Sequence, residues 1–420
     1  MIGLLLAASL LAALWAALAV ARETEPGASL PKVIIGGYVL RLVIQSFIRH
    51  VPFFSHGGGG DCLVYEELGR LIAAVWSHVG VHYITAQELE VVGATSLPPN
   101  LFAAVIFLNG GEVDALSRLG CTSMAAFAAG LTALNLYTLS VQFGAEKRVA
   151  LLLASIIYFE PAFLFYTSDM YKDGLVVCFT IGALGSALRL AFRFSLLHVV
   201  VGVVCVWALW YVRFYLIFVT VAPLLVGAVG IGSKSVARSL LAAIVLASAA
   251  IVLASFTDLL QLATDRASET FQKATSSRVI NANSQGGSGV VFEDGGSPYG
   301  ALPAKLAYTL LSPFPWSAGS LGFQVGKLDA FLWYFILYRA VRACKQADRR
   351  LVIMMMTFLV PCTVMYAMSM SNVGLIVRQR LVVVAAAVIL ASLYVPKAAA
   401  VTRQVASRAP RGRPSPRAAA

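Results

Sequence analysis

Charge is scarce in this chain. Asp, Glu, Lys and Arg make up 12% of its 420 residues and 59% are hydrophobic, where soluble domains carry roughly 25% charged residues. Apolar stretches of about 17–25 residues recur, the length that crosses a bilayer core. Deficit and stretches together read as a polytopic helical membrane protein rather than a soluble protein with buried helices.

Several motifs are missing as well. The six cysteines (Cys62, Cys121, Cys178, Cys205, Cys344, Cys362) are scattered with no CxxC or other metal spacing, so they read as small buried apolar residues. No GxxxxGK[ST] phosphate loop and no nucleotide fingerprint occurs, which argues against an ATP-driven pump. No internal repeat is visible. Residues 1–21 are apolar but lack a basic leading region and a cleavage site, and Arg22 follows the run. They are expected to be a retained helix with its N-terminus outside rather than a signal peptide.

Basic residues exceed acidic ones, 32 against 20, for a net charge of +12. Their positions argue against nucleic acid as a partner, because they lie in short segments at alternate ends of the apolar runs. Eleven spans are expected, at about 1–21, 33–49, 119–142, 149–167, 174–192, 195–212, 214–232, 239–257, 328–343, 351–370 and 380–396. One set of connections then collects Arg22, Lys32, Lys147, Arg148, Arg189, Arg193, Lys234, Arg238, Arg342, Lys345, Arg349 and Arg350. The positive-inside bias makes that side cytoplasmic.

The expected fold is therefore an all-α transmembrane bundle over residues 1–396, in a bacterial inner membrane, with its C-terminus in the cytoplasm. Residues 397–420, rich in Ala, Arg and Pro, read as a disordered basic tail able to touch anionic membrane lipids. Two long connections, 50–118 and 258–326, fall outside. The first opens with His56-Gly-Gly-Gly-Gly-Asp61, then carries Leu63, Leu68, Leu71, Ile72, Val75 and Trp76 at near-helical spacing. That spacing suits a helix lying flat in the interface. Leu101 to Leu108 is apolar but too short to span. His78 and His82 are spaced as helix metal ligands would be, but no third ligand is in register, so they read as interfacial. Arg41, inside the second span, snorkels or pairs within the bundle.

Short outer connections should be poor in Lys and Arg, yet they hold Lys172, Arg213, Arg378 and Arg380. Arginine binds phosphate oxygens in a planar, bidentate way, so a phosphate headgroup would account for them. Neighbouring carboxylates or lipid phosphates would account for them too. Asp61 follows four glycines, and Asp169 and Asp173 are four apart, which on a helical turn would put them on one face. One of the three could act as general base on a sugar hydroxyl. A pair could instead hold a divalent cation, magnesium or manganese, against a diphosphate; no metal assignment follows from spacing alone. Asp173 also suits an N-cap.

An early outward Asp61, a flat amphipathic segment and a second acidic turn one hairpin later resemble the GT-C superfamily of integral membrane glycosyltransferases. More narrowly, the chain is similar to bacterial polysaccharide-biosynthesis membrane proteins, some labelled family-39-like. The matching pieces are Pro161 to Ser168 with Lys172-Asp173, Arg213-Phe214-Tyr215, Gly286-Gly287-Ser288, Pro313-Phe314-Pro315-Trp316, and Asn372-Val373-Gly374 followed by Arg378 and Arg380. The resemblance implies sugar transfer from a polyprenyl-phosphate-linked donor on the outer face. It maps the catalytic base onto Asp61 and the second acidic site onto Asp169 or Asp173. The chain departs from the common pattern in having a lone Asp61, which Glu66 and Glu67 do not complete, and in lacking a periplasmic C-terminal domain. An O-antigen-type polymerase, leaning more on its arginines, and a transporter or flippase for lipid-linked sugars are the alternative readings.

Overall fold

The structure is a computed structural model that describes residues 2–21, 29–48, 50, 60–93, 95–229, 265, 268, 288–292, 299–319 and 321–396. Among the described residues the chain is all-helical and contains no strand. In chain order the helices are α1 (Ile2–Ala21), α2 (Ser29–Ile48), α3 (Asp61–Val79), α4 (Leu97–Leu108), α5 (Ala115–Gln142), α6 (Lys147–Phe159) and α7 (Pro161–Phe165). They continue with α8 (Asp173–Phe192), α9 (Leu196–Val212), α10 (Leu216–Val229), α11 (Leu302–Leu311), α12 (Leu321–Ala343), α13 (Arg349–Met368) and α14 (Val373–Ser392).

Six of these, α1, α2, α5, α8, α13 and α14, are long and apolar enough to cross a membrane. The expected count of eleven spans is not confirmed. Helix α6 has 13 residues, about 20 Å at ~1.5 Å per residue, short of a core of roughly 30 Å. Helices α9 and α10 are apolar but shorter than the six. Helix α12 is long but carries Lys327, Asp329, Arg339 and Arg342. The expected span at 239–257 and the tail 397–420 lie outside the described residues, as does most of the excursion 258–326.

Small residues set the packing. Gly3 of α1 lies so close to Gly120 and to the Leu116 carbonyl of α5 that a Cβ there would stand 1.9 Å from that oxygen. Without side chains the two backbones can meet, the usual device where apolar helices pack tightly. The central helix is α14, whose Leu381–Ala391 stretch is buried on every side, as a helix apolar all round must be. Its N-terminus is capped by Asn372, which accepts from Leu375 N at 3.1 Å.

The contacts also give direction. Gly3 meets Gly120, Gly130 meets Leu14, Gly174 meets the Ala125 carbonyl and Gly185 meets Leu139, so α1, α5 and α8 run parallel. Gly182 meets Cys205 and Gly202 meets Ser186, so α9 returns. One end of the bundle therefore collects the starts of α1, α5, α8 and α14 and the end of α9. The opposite end collects Lys147, Arg148, Arg193, Lys345, Arg349 and Arg350.

The expected span 149–167 is broken, and the sequence explains why. Pro161 has no N–H to donate and disfavours helical backbone at the residue before it; Glu160 sits at φ −53°, ψ 129°. The break leaves the Tyr158 carbonyl and the Ala162 N–H, which would have bonded one another, without helical partners. Charged side chains take both: Arg41 Nη2 donates to Tyr158 O at 2.7 Å, and Ala162 N donates to Asp329 Oδ1 at 3.1 Å. Arg41 is thus satisfied inside the bundle, and its Nε also donates to Thr167 Oγ1 at 2.6 Å.

Helix α3 forms as its spacing requires and packs with α4 into a second apolar cluster of Tyr65, Leu68, Ile72, Trp76, Phe102 and Ile106. Met170, from the turn before α8, belongs to the same cluster. The helical pair is thereby fastened over that turn. His82 lies beyond the end of α3 and pairs with Glu88 at 2.8 Å.

Candidate functional site

Five of the seven residues singled out in the sequence gather at the end of the bundle where α8 and α14 begin, four of them paired as one ion cluster with Lys172 beside it. Asp61 and Asp173 are the first residues of α3 and α8, positions where a carboxylate is favoured by the helix dipole. Arg213 ends α9. Arg378 lies in the second turn of α14 and is the hub. Its Nε and Nη2 face Asp173 Oδ2 at 2.7 and 2.6 Å, and its Nη1 donates to Asp61 Oδ2 at 2.5 Å. Arg213 Nη2 stands 3.7 Å from Asp173 Oδ1.

Burial divides the roles. The side chains of Asp173, Arg213 and Arg378 are 2%, 8% and 11% exposed, whereas that of Asp61 is 49% exposed. Asp173 and Arg213 form a floor, Arg378 stands on it, and Asp61 is the exposed carboxylate of the cluster. Tyrosines wall the hub: the Arg378 guanidinium lies 5.0 Å from the Tyr166 ring centroid and 5.5 Å from that of Tyr171, within cation–π range.

Lys172 adds a third cation. Its Nζ is 3.4 Å from Thr95 Oγ1 and 5.8 Å from the Tyr65 ring centroid. Burial, reinforced by the neighbouring Arg213 and opposed by Asp173, lowers its pKa to about 8. Burial also raises the Tyr65 phenol, with Asp61 and Asp173 adding to the rise. Below pH 8 the cluster therefore holds three cations against two carboxylates.

Two expectations are corrected. Asp169 and Asp173 do not share a helical face, because Thr167–Lys172 is not helical and α8 begins only at Asp173. Asp169 bends its Oδ1 back to Met170 N at 2.8 Å, and Arg378 does not bond to it. Arg380, two residues beyond Arg378, is about 200° further round the helix and faces away. It is buried, and its Nη1 donates to the carbonyls of Thr309, Leu310 and Ser312 at 3.2, 3.3 and 2.7 Å, the electronegative end of α11.

The divalent cation weighed as an alternative has no cage here. Among the described residues no three His, Cys, Asp or Glu side chains converge as ligands, and between Asp61 and Asp173 stands the Arg378 guanidinium. The residues present do not fit a metal held by those two aspartates.

Sequence reading passed over Tyr65, Thr95, Tyr166 and Tyr171, whose roles depend on tertiary contact and leave no pattern in the chain. It also passed over Asp329, and it read Glu160, ahead of Pro161 inside an apolar run, as paired or cavity-facing without giving it a role. Two motif pieces do come together: Ser288 Oγ donates to Asn372 Oδ1 at 2.8 Å, and Val290 N donates to Ser371 O at 2.8 Å. No protein-family model, no curated protein and no solved structure matches this chain.

Proposed function

We propose that the chain is an integral membrane glycosyltransferase that takes sugar from a polyprenyl-phosphate-linked donor, in cell-surface polysaccharide or glycoconjugate synthesis. One observation carries this reading: the partly open Asp61 carboxylate stands beside a buried surplus of cations assembled from three distant segments. A lipid-linked phosphate sugar needs both halves of that arrangement.

In the reaction, the acceptor hydroxyl oxygen forms a bond to the anomeric carbon while the bond from that carbon to the phosphate oxygen breaks. Asp61 accepts the hydroxyl proton as general base. The electron pair leaves on the phosphate, and Lys172, Arg213 and Arg378 stabilise the charge that builds there. Asp173 keeps Arg378 and Arg213 oriented. The exchange of a carboxylate partner for a phosphate on Arg378 would free Asp61 for the acceptor.

A polymerase of the O-antigen type is the second reading, favoured by the position of Arg378, which pairs with both Asp61 and Asp173. Purified protein in proteoliposomes, given a polyprenyl-phosphate sugar and a glycan acceptor, tests both. Asp61→Asn is expected to abolish transfer with the protein still folded. Loss with Arg378→Ala alone, and full transfer with Asp61→Asn, would replace the transferase reading by the polymerase one. Movement of donor across the bilayer with no glycan product would replace both by a flippase.

A further inference from the structure

Outside the ion cluster, the bundle buries a second set of charges that the proposed reaction does not use. Glu160 stands at the break between α6 and α7, Asp329 on α12 and Arg380 on α14, each 2% exposed. Ala162 N donates to Asp329 Oδ1 at 3.1 Å, which brings Asp329 to the residue two on from Glu160, and the charges of Glu160, Asp329 and Arg380 act on one another electrostatically. Tyr334 also faces Arg380, and Tyr166 faces Asp329. The Trp333 ring centroid lies 5.9 Å from the guanidinium.

Partners are short in this group. Arg380 gives its Nη1 to three carbonyl oxygens of the α11 terminus rather than to either acid. Asp329 Oδ1 is taken by Ala162 N. Glu160 Oε2 is buried with no hydrogen-bond partner. Two ionised carboxylates against one guanidinium would leave a net negative charge in an apolar interior, and two carboxylates in one site do not both ionise there.

We propose that Glu160 and Asp329, buried together with Arg380, form an internal proton-binding site in which one of the two acids carries a proton. The proton neutralises one carboxylate, and the other pairs electrostatically with Arg380. Ionisable groups buried within membrane bundles are where proton relays are found. The site is linked to the ion cluster through α14, which carries both Arg380 and Arg378, and through Tyr166, whose ring lies 5.0 Å from the Arg378 guanidinium and which also senses the charge of Asp329. Gain or loss of the proton changes the charge that this half of α14 meets.

Infrared spectroscopy of the full chain in lipid, at neutral pH, tests the site without any activity assay. A protonated-carboxyl C=O band that shifts on deuteration is expected. Glu160→Gln or Asp329→Asn should remove it, and Asp61→Asn should leave it. Thermal unfolding gives a second measurement: a folded state holding an extra proton loses stability as pH rises, and Glu160→Gln should flatten that fall. A wild-type chain with no such band, or a band that survives both substitutions, overturns the proposal. Should both variants fail to fold, the wild-type band and its pH dependence decide the matter alone.

Discussion

At the scale of single residues, exposure separates the two aspartates that share Arg378. Asp61 is half exposed and its ion pair is screened, so Asp61→Asn should change unfolding stability by no more than about 1 kcal/mol. Asp173 is buried beneath two guanidinium groups, and removing its charge takes the carboxylate from Arg213 and leaves Arg378 only the half-exposed Asp61. Asp173→Asn should cost about 3–5 kcal/mol, seen as a lower thermal midpoint in detergent; equal effects at the two positions would contradict the floor-and-mouth arrangement. Lys172 gives a prediction with two opposite signs. With its pKa lowered to about 8, the folded chain releases this proton before the unfolded chain does. Stability should therefore rise as pH climbs from about 8 into the usual lysine range. Affinity for inorganic phosphate should fall over the same window, as the cation is lost. Lys172→Arg should remove both trends, measured by unfolding and by phosphate titration across pH; a phosphate affinity indifferent to pH in the wild type would remove Lys172 from the anion site. At this scale the sequence was partly legible. Charges at the ends of apolar runs cannot face lipid, which is why Asp61, Asp173, Arg213 and Arg378 could be read as one group. Arg380 could not be sorted from Arg378, since the turn of α14 separates them, nor Asp169 from Asp173, since their spacing matters only if the chain between them is helical.

At the scale of elements, the break at Glu160–Pro161 organises its surroundings. A continuous helix was the natural reading of that apolar run, and the proline alone does not say whether a helix kinks or ends. What ends it is tertiary: Arg41 takes the freed carbonyl and Asp329 the freed N–H, and Arg41 also fixes Thr167 at the head of the turn that carries Lys172. In an exposed helix interior, replacing proline by alanine gains roughly 3 kcal/mol. Here Pro161→Ala should bring no such gain, because resuming the helix displaces two charged side chains from their backbone partners. A thermal midpoint raised by the full propensity difference would show that the break is merely imposed by proline. At the other end of the site, Asn372 both caps α14 and receives Ser288. Asn372→Ala should lower stability by about 1–2 kcal/mol, and should release the 288–292 segment to hydrogen exchange while the core of α14 stays protected.

At the scale of the whole molecule, the two ends of the bundle differ in chemistry. One end holds acids and bases matched against each other around Arg378, and the other a nearly unopposed set of Lys and Arg in its connections. The helix directions needed for this division were legible from the alternation of charge, because a run that reverses direction must return its basic flank to the same side. The number of crossings was not, since short or charged helices such as α6 and α12 can be held within a bundle without spanning by themselves. The positive-inside bias leads us to expect the basic end in the cytoplasm and the ion cluster on the outer face, where a lipid-linked donor would have to be presented already translocated. Cysteine labelling decides this. In a background lacking the native cysteines, Leu63→Cys, exposed beside Asp61, should react with a membrane-impermeant thiol reagent on intact cells. Arg193→Cys, exposed where α8 ends at the basic end, should react only after permeabilisation. The reverse pattern would turn the site toward the cytoplasm, leaving the cluster intact but placing its phosphate-bearing substrate on the side where nucleotide-activated sugars are made, and the lipid-linked donor would lose its rationale.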